Sequence, residues 1–204
     1  MGKEVTVEGL RPFGTSIFTE MSVLANTHNA VNLSQGFPDF DGPREIRAMA
    51  ADAILRGPNQ YVLSHGIPEL RRAVARKMKR FYGVEVDAND EVTVTSGATE
   101  GLCATFLGIL EPGDELILLE PSYDVYPPEG SYYLLINITS LGFDDDVAFC
   151  RMLPEEAGVA AIPCSCFWDN RHRGRELVRF CFCKKDETLD EAIKRLKRWR
   201  RARH

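Results

Sequence analysis

Apolar residues recur at helical spacing in several stretches of this chain, and short β-rich runs lie between them. From Pro43 to Leu55, the residues Ile46, Met49, Ala50, Ala53 and Ile54 share one side of a helix. Pro43 sits in its first turn, where a missing N–H breaks no bond. Pro68 opens a second helix in the same way, over Glu69–Tyr82, with Leu70, Val74 and Met78 inward and Gly83 as a left-handed cap. The irregular stretch from Arg11 to Val31 reads as an arm followed by a helix of about a dozen residues. Asn32 to Asp41 is a loop rich in glycine and proline.

A change of period follows. Glu91–Thr95 is β-branched and reads as a strand, Ala98–Leu110 as a helix, Glu111–Asp114 as a turn and Glu115–Leu119 as a second strand. That length suits a right-handed parallel crossover. Beyond it the pattern predicts a strand at Tyr132–Ile138, a helix at Asp144–Ala157, strands at Val159–Ile162 and Leu177–Cys183, and a terminal helix from Thr188. Strands alternating with helices make the fold class α/β.

Composition narrows the functional classes. At 204 residues, 44% hydrophobic and 27% charged, the chain is long enough for a real core and ordinary for a globular protein. A net charge of -5 gives no general attraction to nucleic acid. The basic tail Lys194–His204 is expected to be a solvated amphipathic helix, with Ile193, Leu196 and Trp199 or Arg200 on one face. Neither a signal peptide nor a membrane span is indicated, so no membrane partner and a cytoplasmic address are expected.

All six cysteines but Cys103 lie between Cys150 and Cys183, and four form the pairs Cys164-Ser165-Cys166 and Cys181-Phe182-Cys183. One reading is a four-thiolate zinc site. The other is that strand geometry puts i and i+2 on one face, where small thiols pack well. The four histidines show no metal-binding spacing, and no nucleophile elbow, zincin or P-loop pattern occurs.

Two places carry chemistry on physical grounds. Ser96-Gly97-Ala98-Thr99 lies at a strand-to-helix turn, where glycine permits close approach and helix N–H groups face an anion. A plain connection has the same pattern. Arg179 lies between Val178 and Phe180 in an apolar strand, where a guanidinium needs an anion or suffers desolvation. A substrate carboxylate and a structural ion pair with Asp144, Asp145 or Asp146 both meet that need.

With Asn32–Pro38 (NLSQGFP) and Asn59–Leu70 (NQYVLSHGIPEL), the segments Val92–Glu100 (VTVTSGATE) and Leu177–Cys183 (LVRFCFC) resemble the class I/II pyridoxal-phosphate aminotransferases. The kynurenine- and methionine-oxoglutarate branch is the most similar. The resemblance implies a fold-type-I architecture, an amino-acid or 2-oxo-acid substrate and a homodimer. It implies that Gly97, Ala98 and Thr99 hold the phosphate of pyridoxal phosphate, that Tyr123 stacks on its ring, and that Tyr61 crosses to the partner's phosphate. Arg179 and Gly36 would hold the substrate α-carboxylate. The implied divisions are an N-terminal arm and small-domain part over 1–42, a partial cofactor-binding large domain over 43–127, and a C-terminal small domain over 128–204.

The resemblance breaks between Tyr126 and Ser131. Whole members of the family are nearly twice this length, and the Schiff-base lysine segment is missing from this chain. Lys3, Lys77, Lys79, Lys184, Lys185, Lys194 and Lys197 stand in helical or terminal contexts unlike it. Missing too are the pyridine-nitrogen aspartate and the asparagine that bonds the ring oxygen. The lysine's acid–base role alone is worth about 10² to 10⁴ in rate. The expectation is therefore an incomplete aminotransferase fold, a partial large-domain sheet beside an α+β small domain built from both chain ends, with no catalytic residue and no turnover alone. In the family's sheet the first two strands are not neighbours, so Glu91–Thr95 and Glu115–Leu119 should lack partners. Two alternatives are an interaction subunit that pairs with a full-length paralogue through the Tyr61 side, and a zinc module.

Overall fold

The computed structural model describes residues 14–117 and 132–203. These fall into two compact units, one formed by residues up to Gly42 together with those from Tyr132 onward, the other by Pro43–Ile117. Tyr123 and the Tyr126–Ser131 join lie outside the described residues.

The first unit holds the core. Helix α1 (Ile17–Thr27) starts at Ser16, whose hydroxyl accepts the Thr19 N–H at 3.2 Å. Strand β1 (Val31–Asn32) pairs in parallel with β3 (Val159–Ala160). Strand β2 (Tyr133–Asn137) runs antiparallel to β5 (Leu177–Cys181), which pairs on its other side with β4 (Ile162–Pro163), giving the order β2-β5-β4. The expected single strand at Val159–Ile162 is thus two short ones in different sheets, with Ala161 between them. Pro163 is tolerated because β4 is an edge. Helix α5 (Asp146–Glu156) packs with α1 against β3 and β4, and α6 (Asp186–Ala202) packs against β1 and β3.

Met21, Ile138, Leu153, Ile162 and Val178 are fully buried among these elements. Each such side chain contributes about 1.5–3 kcal/mol of transfer free energy. Phe143, Phe149 and Trp199 meet in an aromatic cluster that seats α6. Helix α6 therefore presents Leu189, Ala192, Leu196 and Trp199 inward, while Ile193, expected on that face, is 48% exposed. Its start is Asp186 rather than Thr188, because Asp39 accepts the Lys185 N–H at 2.7 Å and the Thr188 hydroxyl.

The second unit is helical. Helix α2 spans Arg44–Arg56, α3 Pro68–Tyr82 and α4 Ala98–Ile109, with Gly83 in the expected left-handed cap at φ 69°. The strands expected at Glu91–Thr95 and Glu115–Leu119 do not form among the described residues, so the parallel crossover is corrected to an extended segment leading into α4. Val94 gives its N–H to His65 O at 3.0 Å instead of to a strand. A lone strand cannot pair its own N–H and C=O groups, and among the described residues no strand lies beside Glu91–Thr95 or Glu115–Ile117.

The helical stripes also find no core. Neither α2 nor α4 has a buried residue, and the buried side chain of α3 is Arg71, which donates to the Ala88 and Asn89 carbonyls at 3.0 Å. Ile46, Met49 and Ile54 are all more than 60% exposed. The periodicity predicts the helices correctly; among the described residues nothing buries the stripes of α2 and α4.

Candidate functional site

The candidate residues divide between the two units. In the helical unit, Gly97 takes φ 87° and forms the N-cap position of α4 with no side-chain cap bond. A Cβ placed on Gly97 would meet nothing within 4 Å, so the approach to the first turn is open. The first-turn N–H groups of Ala98 and Thr99 have no acceptor within the helix, the arrangement that receives phosphate at helix starts. One neighbour competes for an anion's place: the Ser96 N–H donates to the Glu100 carboxylate. Thr95 donates its hydroxyl to Gly97 O at 3.0 Å and steadies the turn. These groups fit a phosphate. Tyr61, in the loop between α2 and α3, is fully exposed.

In the other unit the structure brings Gly36 and Arg179 to the same side chain. Arg179 lies in the middle of β5, 1% exposed, opposite Leu135 on β2 and Ile162 on β4. Its guanidinium carbon is 3.9 Å from the ring centroid of Tyr133, 4.7 Å from Phe167 and 6.0 Å from Phe18. A guanidinium is weakly hydrated and stacks on aromatic faces, so this cage offsets part of the desolvation cost. Tyr133 reaches Gly36 at its other end, where an added Cβ would overlap the Tyr133 hydroxyl and crowd the Tyr132 ring. Only glycine fits there.

Two of the three carboxylates weighed as structural partners for Arg179 have engagements of their own. Asp145 caps α5 through the Ala148 N–H at 2.9 Å and meets Arg175 at 3.3 Å. Asp146 is buried and accepts the Ser165 N–H at 2.7 Å and hydroxyl at 3.0 Å. Burial pushes the Asp146 carboxyl above its ordinary value, against the two Ser165 bonds.

Sequence reasoning passed over Tyr133. Its signal was the alternation of β2, which puts Tyr133 and Leu135 on one face in register with Cys181 and Arg179. It also passed over Lys184, which is neither helical nor terminal. Lys184 is 7% exposed in the turn after β5, donates to the Phe37 carbonyl, and lies 3.8 Å from the centroid of the Phe37 ring. The neighbouring Gln35 side chain ties the same loop to α1 through Phe18 O and the Ser22 hydroxyl. Ser34 donates to the Asn32 side chain at 2.6 Å, so this serine has a structural bond rather than a base.

The cysteines do not form the strand face expected of both pairs. Cys164 and Cys166 lie in a 3-10 turn (Cys164–Phe167), and Cys166 donates to Pro163 O at 2.9 Å. Burial raises the Cys164 thiol to about 12 and Cys166 to about 11. Among the described residues no three His, Cys, Asp or Glu side chains gather as a metal site. Nor is any described helix long and apolar enough to cross a membrane.

Comparison with known proteins joins these observations. Residues 28–129 match the family model for aminotransferase class I and II. The chain is 50% identical over 119 residues to methionine aminotransferase of Escherichia coli, covering 58% of this chain and 31% of that protein. It is 52% identical over 124 residues to a probable N-succinyldiaminopimelate aminotransferase, DapC, of Mycobacterium tuberculosis, covering 61% and 31%. These matches span about a third of the length of the curated relatives. The solved N-succinyldiaminopimelate aminotransferase from Mycobacterium tuberculosis matches with a TM-score of 0.87 at 26% identity, covering 96% of this chain and 100% of that one. YbdL from Escherichia coli gives the same TM-score at 24% identity, with the same coverage, and shows the likeness of fold. Its fold is that of the fold-type-I aminotransferases, and the chain belongs to the class I and II aminotransferase family.

Proposed function

We propose that this chain is an internally shortened aminotransferase that keeps grips for a phosphate and a carboxylate but transfers no amino group by itself. The observation that carries the reading is the open first turn of α4, with Gly97 at φ 87° and no side-chain cap. Pyridoxal phosphate, when bound, supplies the electron sink for amino transfer between an amino acid and a 2-oxo acid. The chain's own residues divide the binding work. Ala98 and Thr99 hold the phosphate through backbone N–H groups, and Gly97 lets it come close. The resemblance assigns Tyr123 to the ring and Tyr61 to the phosphate site of a second copy in a cytoplasmic homodimer, and Arg179 and Gly36 would hold the substrate carboxylate once Tyr133 leaves the space between them.

The family's Schiff-base lysine has no counterpart here, and three of the seven lysines are engaged elsewhere. Lys79 pairs with Glu85, Lys194 with Glu191, and Lys184 is held by the Phe37 carbonyl. A homodimer supplies no substitute, because both copies lack the same segment. The test is borohydride reduction of the purified chain with pyridoxal phosphate, followed by peptide mapping. No single lysine should carry a stoichiometric pyridoxyl group; one that does overturns the reading. In the same preparation Gly97→Val should weaken cofactor binding about tenfold, since a β-branched residue resists positive φ.

The exposed apolar faces of α2 and α4, with fully exposed Tyr61, favour a second reading as an interaction subunit. Its partner would be a full-length paralogue. Co-expression with tagged paralogue should recover this chain in stoichiometric amount, and recovery of the paralogue alone argues against it.

A further inference from the structure

The second C-x-C pair is built differently from the first. Cys181 Sγ and Cys183 Sγ are 3.1 Å apart at the end of β5. Cys181 is 1% exposed, whereas Cys183 is half-buried and the more accessible. The backbone on both sides is fixed. The Cys181 N–H donates to Leu33 O at 2.8 Å, the Phe182 N–H donates to Tyr132 O at 2.9 Å, and Lys184 is tied to the Phe37 carbonyl. The two sulfurs therefore face each other on a segment that the fold holds in place. A bond would require the sulfurs to close from 3.1 Å to about 2.05 Å.

We propose that Cys181 and Cys183 are a reversible dithiol–disulfide site, oxidised by small disulfides of the glutathione class. The Cys183 thiolate attacks one sulfur of glutathione disulfide; the S–S bond breaks and a glutathione thiolate leaves and takes a proton from water. Cys181 then loses its proton to solvent and attacks Cys183 Sγ in the mixed disulfide, expelling the second glutathione. Two protein thiols are oxidised and one glutathione disulfide is reduced to two glutathiones. Burial raises the Cys181 thiol to about 11, with Lys184 acting against that rise, so Cys181 must give up its proton as it attacks in the second step.

The test equilibrates the full chain in glutathione redox buffers, natively and in urea, then traps thiols by alkylation and maps the peptides by mass. A Cys181–Cys183 disulfide should form with an equilibrium constant at least about tenfold larger in the native chain, about 30 mV for a two-electron couple. Cys181→Ser should stop at a glutathione mixed disulfide on Cys183, and Cys164→Ser should leave the native constant unchanged. Equal constants in both states would mean that the fold builds no site. A bridge from Cys183 to Cys164 or Cys166, or two thiols still alkylated in the most oxidising buffer, equally overturns the proposal.

Discussion

The Asp39 carboxylate accepts the Lys185 N–H and the Thr188 hydroxyl, so a loop residue near one end of the chain starts the helix near the other. The Thr188 bond, with lesser help from the Lys185 N–H and the Lys184 charge, holds the Asp39 carboxyl below its ordinary 3.8. A lowered native pKa means that the unfolded chain binds more protons as the solution acidifies. The stabilisation is whole above the unfolded value and is lost as pH falls through the native one. Asp39→Asn should therefore flatten the acid-side loss of protection in the first turn of α6 as pH falls below about 4. Hydrogen exchange read by mass reports it, and an unchanged slope defeats the assignment. Asp146 acts with the opposite sign, because burial raises its carboxyl and the folded state takes up the proton more readily. Neither aspartate was legible in the sequence, since each acts on a partner far along the chain. Arg179 was legible, because a lone guanidinium in Leu177–Cys183 demands an explanation. Tyr133, which fills the space between Arg179 and Gly36, was not: an aromatic in a strand is ordinary until its register is known.

Among the elements, helices were read better than strands, and the reason is physical. A helix satisfies its backbone internally, so α2, α3 and α4 persist with almost no buried side chain. A strand satisfies its backbone only through neighbours, so Val92–Thr95 forms none, whereas Leu177–Cys181 pairs on both edges. Amphipathic pattern thus predicts the element, and the surrounding chain decides whether its face is covered. Local opening should follow the same division. Amides of α5, which carries Phe149, Cys150 and Leu153 in the core, should exchange slowly, and those of α2 and α4 much faster. Asp145→Ala, which removes the α5 cap, should lower the stability of its unit by about 1 kcal/mol and speed exchange along α5. Uniform protection of α2, α4 and α5 would contradict this account.

At the scale of the whole molecule, the chain is a family member whose matches cover about a third of its curated relatives' length, and its two units differ in what they have to fold around. Residues from both chain ends close a core around Met21, Ile138 and Val178, while Pro43–Ile117 presents its apolar stripes to water. The resemblance made that imbalance foreseeable, because it implied that Glu91–Thr95 and Glu115–Leu119 lack strand neighbours. The aromatic cage at Arg179 and the Phe37 contact of Lys184 were not foreseeable, because they depend on which aromatic ring each cation meets. Exposed apolar area of this kind drives association of a chain with copies of itself. Ile54 and Leu55 are 68% and 82% exposed at the end of α2, with Ile46 and Met49 on earlier turns. Sedimentation of the purified chain should show mass rising with concentration. Ile54→Glu combined with Leu55→Glu should shift that rise to at least about tenfold higher concentration, because an ionised carboxylate resists removal from water. Secondary structure should be unchanged, since both positions are solvent-facing and glutamate is a good helix former. A wild-type chain that sediments as a monomer at every concentration would mean that the open faces of Pro43–Ile117 do not associate, and that the second unit is held by its helices alone.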